Sequence, residues 1–277
     1  MTTLFTLPIT STGGSFVCSN PPSPKEGGET EKNIYLLTFV SPPDNRLTTD
    51  FIEAFLLALD IIEHRYPKGV VITTSGIGKF FSNGLDLAAI ASQPDFLDGY
   101  LWKLFRRLLT YPMPTIALIN GHAFAGGLML AMFHDYRVQN PSRGFVCLNE
   151  IEFGVTLQAP MMSIFREKIS PTTFRTLVLE GKRFPGPEAL QAGIVDVVGG
   201  LEETLKFIKD RKLVLKPNSG IWGSMKEEMY RESLAILDSH QANLKWRDNV
   251  EEQKTAQAEK AKAAVQKWEK SQGKAKL

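Results

Sequence analysis

The chain has 277 residues, 43% of them apolar and 22% charged, which provides for a sizeable folded core and is far from the composition of collagen, a coiled coil or a disordered chain. Its 32 basic and 30 acidic side chains leave a formal charge of +2, so no net field draws it to nucleic acid, and no basic run supplies a local one. Cys18 and Cys147 lie far apart and match no metal-ligand spacing, which argues for reduced thiols and against a disulfide framework.

No apolar run reaches the roughly 18 residues required to cross a bilayer. Met1 to Thr10 lack the basic-then-apolar order of a secretory leader, so an intracellular protein is expected. Residues 11 to 31 mix Gly, Pro, Ser and charges with few apolar side chains, predicting a flexible arm over 1–32. Ile34 to Val40 and Val70 to Thr74 are compact apolar runs that read as strands. Between them Ile52, Phe55, Leu56, Leu59 and Ile62 recur at helical spacing, with Asp50 and Glu53 as a capping-box-like start.

The alternation continues. Leu101, Leu104, Phe105 and Leu108 predict a helix stopped near Pro112, Thr115 to Ile119 a strand, and the segment from Gly126 a helix. Asp135 to Val138 and Phe145 to Leu148 are short strand candidates; Ser170-Pro171 opens a helix reaching about Gly181, and Pro187 to Gly193 fits another. Such alternation argues for an α/β core with parallel strands over 33–200. From 201 to 277 the strand signals fade, which predicts a helical C-terminal section packed on the core or on a neighbouring subunit. Its charges of both signs from Glu251 to Lys270 read as a solvated face.

Phosphate-loop, dinucleotide, nucleophile-elbow and zinc-protease signatures are missing. The four histidines, His64, His122, His134 and His240, are scattered and read as surface or hydrogen-bonded residues. Two glycine segments follow strands: Phe80-Phe81-Ser82-Asn83-Gly84-Leu85-Asp86-Leu87 and Asn120-Gly121-His122-Ala123-Phe124-Ala125-Gly126-Gly127-Leu128. Each is able to present bare backbone to a ligand, although composition alone favours turns and tight packing.

In order and spacing these two segments resemble the paired signature of the enoyl-CoA hydratase/isomerase (crotonase) superfamily. The stretches His134-Asp135-Tyr136-Arg137, Glu180 to Phe184 and Glu188 to Asp196 support it. The resemblance implies a crotonase-like spiral of repeated ββα units with a helical C-terminal section. It implies that the N–H groups of Leu85 and Gly126 form an oxyanion hole for an acyl-CoA thioester oxygen. It places Ser82, Asn83, Gly84, Leu85, Asp86, Phe124 and Met129 at the substrate, with Arg46 or Lys79 as weaker candidates for the coenzyme A phosphates. No metal or separate cofactor is implied, coenzyme A being part of the substrate.

Hydratases of the superfamily carry glutamates at the positions of both Met129 and Glu150. Here only Glu150 is present, and a thioether neither orients nor deprotonates water. The run Leu148-Asn149-Glu150 followed by Phe153-Gly154-Val155 resembles the Δ3,Δ2-enoyl-CoA isomerases, which makes Glu150 the expected catalytic base in β-oxidation of unsaturated fatty acids. Glu152 is its rival, since in an extended chain both point to one side. A hydratase or other crotonase-type acyl-CoA enzyme, and a silent acyl-CoA binder, are the competing readings. The ending Ala275-Lys276-Leu277 resembles a peroxisomal address read by the import receptor. Family habit adds a homotrimer or dimer of trimers.

Overall fold

The computed structural model describes residues 2–22 and 33–274. Strands β1 (Thr2–Ile9) and β2 (Gly14–Asn20) form an antiparallel hairpin, and β2 pairs antiparallel with β3 (Ile34–Val40). This departs from the arm expected over 1–32, of which residues 23–32 lie outside the described set. Phe16 and Cys18, both fully buried, alternate along β2 and give it an apolar edge to dock.

Helix α1 (Thr49–Arg65) is capped by Thr48, whose hydroxyl accepts from the Phe51 N–H at 3.2 Å. The box expected at Asp50 and Glu53 is not its start. Asp50 is already inside the helix and accepts instead from the Ser11 N–H at 2.7 Å. The chain continues through β4 (Val70–Ser75), β5 (Phe80–Ser82), α2 (Leu87–Ser92), α3 (Trp102–Thr110), β6 (Thr115–Ile119), β7 (His122–Phe124) and α4 (Gly126–Phe133). Then come β8 (Tyr136–Gln139), β9 (Val146–Cys147), α5 (Ala159–Lys168), α6 (Pro171–Leu179), α7 (Gly186–Gln191), β10 (Val197–Val198), α8 (Leu201–Asp210), α9 (Trp222–Met229) and α10 (Arg231–Asp238).

Three successive strand pairs, β4–β5, β6–β7 and β8–β9, thus each give one strand to a large sheet and the next to a small one before a helix follows. The large sheet has the order β1-β2-β3-β4-β6-β8-β10 and the small one β5-β7-β9. From β3 onward all pairings in both sheets are parallel. Alternate residues of β3 enter different cores. Tyr35, Leu37 and Phe39 join the larger one with α1, α3 and α4, while Ile34 and Leu36 face Leu205, Phe207 and Ile208 of α8.

Residues Met1–Leu237 form one compact unit and Asp238–Leu277 a second. The second is built on a single helix, α11 (His240–Lys274), whose side chains from 251 to 272 are exposed, as its mixed charges require. Among the described residues no helix is long and apolar enough to cross a membrane, and no group of three His, Cys, Asp or Glu is placed to hold a metal ion.

Candidate active site

Because β5, β7 and β9 run parallel, their C-terminal ends open along the same edge of the small sheet. Three segments distant in sequence leave that edge. Asn83 to Asp86 follow β5, Ala125 and Gly126 follow β7, and Leu148 to Glu150 follow β9.

The first amide is presented by a short parallel bridge between Leu47 and Leu85. The Leu47 N–H donates to the Gly84 carbonyl at 2.9 Å, and the Asp86 N–H donates to the Leu47 carbonyl at 3.4 Å. Successive peptide groups of an extended chain point to opposite sides, so the N–H of Leu85 itself turns away from Leu47. Among the described residues it donates to no backbone carbonyl.

The second amide, that of Gly126, opens α4, where the first N–H groups have no partner within the helix. Ala125, just before it, has a φ of +51°, and its N–H donates to the Cys147 carbonyl at 3.0 Å. An alanine held in this conformation is a local strain of the kind found where geometry serves function. A Cβ on Gly126 would stand 2.8 Å from the Leu85 side chain and 3.1 Å from its nitrogen, and one on Gly84 would stand 3.1 Å from the Gly126 nitrogen. The two amides therefore border one small space, and glycine at 126 keeps it open.

Glu150 begins a 3-10 turn, Glu150–Phe153, tied back by the Val155 N–H, which donates to the Glu150 carbonyl at 3.0 Å. Its side chain is half-buried, and Oε2 is buried without a hydrogen-bond partner among the described residues. Burial pushes this carboxyl up to about 7, against the opposing pull of its own backbone amide. Glu152 is exposed and ion-paired with Arg183 at 3.6 Å. The two carboxylates, equivalent in an extended strand, are separated by the turn.

Other expected substrate contacts have different surroundings. The Ser82 side chain is fully buried; its hydroxyl donates to the Asn45 carbonyl at 2.7 Å and accepts from the Gly84 N–H at 3.2 Å. Asn83 donates to Asp44 at 2.6 Å, and Asp86 accepts from the Ala88 N–H at 2.9 Å at the start of α2. Side chains of this loop thus hold the loop, leaving its backbone for a ligand. Met129 is 1% exposed within the larger core, whereas Phe124 is half-buried between His122 and the Arg183 guanidinium.

Arg46 donates to the Leu85 carbonyl at 3.3 Å and pairs with Asp44, and Lys79 lies over the Phe80 ring. His134 is fully buried between the Leu130 carbonyl and the Thr73 hydroxyl, each at 2.8 Å, and burial pushes its pKa down to about 3. Ala275, Lys276 and Leu277 lie outside the described residues. Two polar residues near this edge carry no role in the sequence motifs. Asn45 has only a Pro-Pro-Asp-Asn turn to signal it, and Asn149, whose Oδ1 is buried without a partner among the described residues, stands in the Leu148-Asn149-Glu150 run with no chemistry assigned to it.

A spiral of ββα repeats with this doubled sheet is the crotonase fold. Over residues 29–273 the sequence matches the enoyl-CoA hydratase/isomerase family, and the chain belongs to that family, as an enzyme of the enoyl-CoA isomerase/hydratase type. It is 32% identical to "Enoyl-CoA delta isomerase 3" of Arabidopsis thaliana over 78% of this chain and 96% of the relative. It is 34% identical to "Enoyl-CoA delta isomerase 1, peroxisomal" of the same plant, over 74% and 90% respectively. The crystal structure of human mitochondrial delta3-delta2-enoyl-CoA isomerase shares the fold with a TM-score of 0.70 at 24% identity, covering 83% of this chain and 89% of that one.

Proposed function

We propose that the protein moves the double bond of a 3-enoyl-CoA to the 2,3-position, as a Δ3,Δ2-enoyl-CoA isomerase. What supports this reading is the half-buried carboxyl of Glu150, whose Oε2 is buried without a hydrogen-bond partner among the described residues, on the same edge of the small sheet as two amides that border one space. Glu150 as carboxylate removes a proton from C2, and the electron pair spreads through the carbonyl and the C3–C4 double bond. The N–H groups of Leu85 and Gly126 donate to the dienolate oxygen. The same carboxyl then returns the proton at C4, leaving the double bond between C2 and C3. No water is consumed, which suits Met129 at the position where hydratases hold their second glutamate.

Each step has a physical scale. A base whose pKa lies near the working pH is both ionised and strong enough to accept the proton. Fixed donors at a developing oxyanion contribute roughly 3 to 4 kcal/mol each. Coenzyme A enters as part of the substrate. Residence in the peroxisome, within β-oxidation of unsaturated acyl chains, belongs to the same reading and is supported by two relatives whose names carry that compartment. A fusion with a free C-terminus that stays in the cytosol removes that assignment. A trimer or dimer of trimers belongs to the same reading and is checked by sedimentation.

The test of the activity is turnover of 3-hexenoyl-CoA and of crotonyl-CoA by the purified chain. Formation of the 2-enoyl product from the first, without loss of the enoyl band from the second, is the expected result. The reverse pattern makes the protein a hydratase, and turnover of neither makes it a binder.

A further inference from the structure

The loop that presents Leu85 does not hold itself. It lies along residues 44 to 47, and the most connected residue of that segment is Asn45. Asn45 is fully buried and adopts a φ of +54°, a left-handed conformation that asparagine tolerates better than most residues. Its Oδ1 accepts from the Ser41 N–H at 2.7 Å. Its Nδ2 donates to the Ser75 hydroxyl at 2.6 Å and to the carbonyls of Phe81 at 3.1 Å and Phe80 at 3.3 Å. One side chain therefore ties the exit of β3 to the end of β4 and to β5.

The main chain of Asn45 carries the connection onward. Its carbonyl accepts from the Ser82 hydroxyl, which in turn accepts from the Gly84 N–H. Gly84 contributes the peptide whose nitrogen belongs to Leu85, and the Leu47 N–H holds that peptide's carbonyl from the other side. We infer that Asn45, acting through Ser82, is a positioning residue that fixes the direction of the Leu85 N–H and with it the spacing of the two oxyanion donors. Asn45 touches no reacting atom in this arrangement. Its contribution is angular, and a donor misaimed by about an ångström loses of the order of a hundredfold in rate. The inference rests on the reading of Leu85 as an oxyanion donor.

The experiment separates the two. Hexanoyl-CoA labelled with carbon-13 at the thioester carbonyl is bound to the full chain, and the carbonyl stretch is followed by difference infrared spectroscopy in the wild type, Asn45→Gly and Ser82→Ala. Asn45→Gly keeps the left-handed backbone accessible, and Ser82→Ala removes one neutral hydroxyl without disturbing the chain direction. The wild type is expected to shift the band to lower frequency, and both variants to return it toward its value in solution. The variants are also expected to lower kcat roughly 10- to 100-fold. KM, and affinity for a coenzyme A thioether that lacks the carbonyl, should stay within about twofold.

A general loss of fold would weaken thioether binding as well, which distinguishes it from misalignment. An unshifted band in the wild type defeats the oxyanion hole itself. A wild type with a shifted band and folded variants that keep the full shift overturns the role of Asn45 and Ser82. Should Asn45→Gly fail to fold, Ser82→Ala decides by the same criterion, since it cuts the last link to Gly84.

Discussion

Ionisable groups are buried around Asp135 and at Glu150, and the two places handle them in opposite ways. Around Asp135 the charges are matched. Lys226 pairs with Asp135 at 2.8 Å and donates to the Leu108 carbonyl at 2.7 Å. Lys168 donates to the carbonyls of Met132 at 2.7 Å and His134 at 2.6 Å, and Arg137 reaches Asp196 at 2.9 Å and the Ile194 carbonyl at 2.7 Å. Burial pushes both lysines below the usual range, with Asp135 pulling back. At Glu150 burial acts on an acid whose Oε2 has no hydrogen-bond partner among the described residues. A shifted pKa alone therefore does not mark a site. The matched cluster closes the C-terminal end of α4, whereas the Glu150 carboxyl has an oxygen without a partner among the described residues.

The contrast breaks first, and with the largest effect, at Glu150. Glu150→Gln keeps the shape and removes the base, so isomerisation of 3-hexenoyl-CoA should slow by about 10²- to 10⁴-fold, measured as initial rates on folded protein. A variant with near wild-type turnover would falsify the assignment. In the matched cluster the expectation is reversed. Among the described residues, Lys226→Met leaves Asp135 buried with only Thr115 to hydrogen-bond its carboxylate, and breaking a buried pair in this way costs about 3 to 5 kcal/mol. Urea titration should show that loss, while kcat of the remaining folded enzyme stays within about twofold.

A smaller effect sharpens the comparison because stability and activity move in opposite directions. The Glu150 carboxyl titrates near 7 when folded and at an ordinary 4.5 when unfolded. Between these values the native chain binds more protons than the unfolded one, so this group's contribution to stability is lost as pH rises through the window. Glu150→Gln removes the penalty. It should stabilise the protein by about 1 to 3 kcal/mol at about pH 8, after allowance for partial exposure, and by nothing at about pH 4. Over the same window wild-type kcat should rise with pH as the base ionises. An equal stability difference at both pH values contradicts the buried, unpartnered placement.

How much of this was legible from residues follows from how local each signal is. β3, β4, β6 and α1 announce themselves by apolar runs and helical spacing, because their own burial dictates their composition. The β1–β2 hairpin hides its signal: Phe16 and Cys18 alternate correctly, but Ser, Gly and Asn around them look like loop. The cap of α1 fell to Thr48 rather than Asp50 because capping depends on which residue is the last extended one, a matter of dihedral angle. For the proposed site, Glu150, Leu85 and Gly126 are named by motif resemblance. Asn45 is not, since its partners other than Ser41 lie 30 to 37 positions away on strands whose ends only the spiral brings together.

The smallest expected effect is the one that tests why two neighbouring glutamates differ. The turn beginning at Glu150 carries Glu152 out to solvent, where it pairs with Arg183. Exposed pairs of this kind contribute about 0 to 1 kcal/mol. Glu152→Gln should therefore change stability by about 0.5 kcal/mol or less and turnover of 3-hexenoyl-CoA by less than about twofold. An inactive Glu152→Gln alongside an active Glu150→Gln reverses the assignment and means that the turn rearranges when substrate binds. A silent Glu152→Gln means that the 3-10 turn, by breaking the extended register, leaves Glu152 in solvent and out of the chemistry.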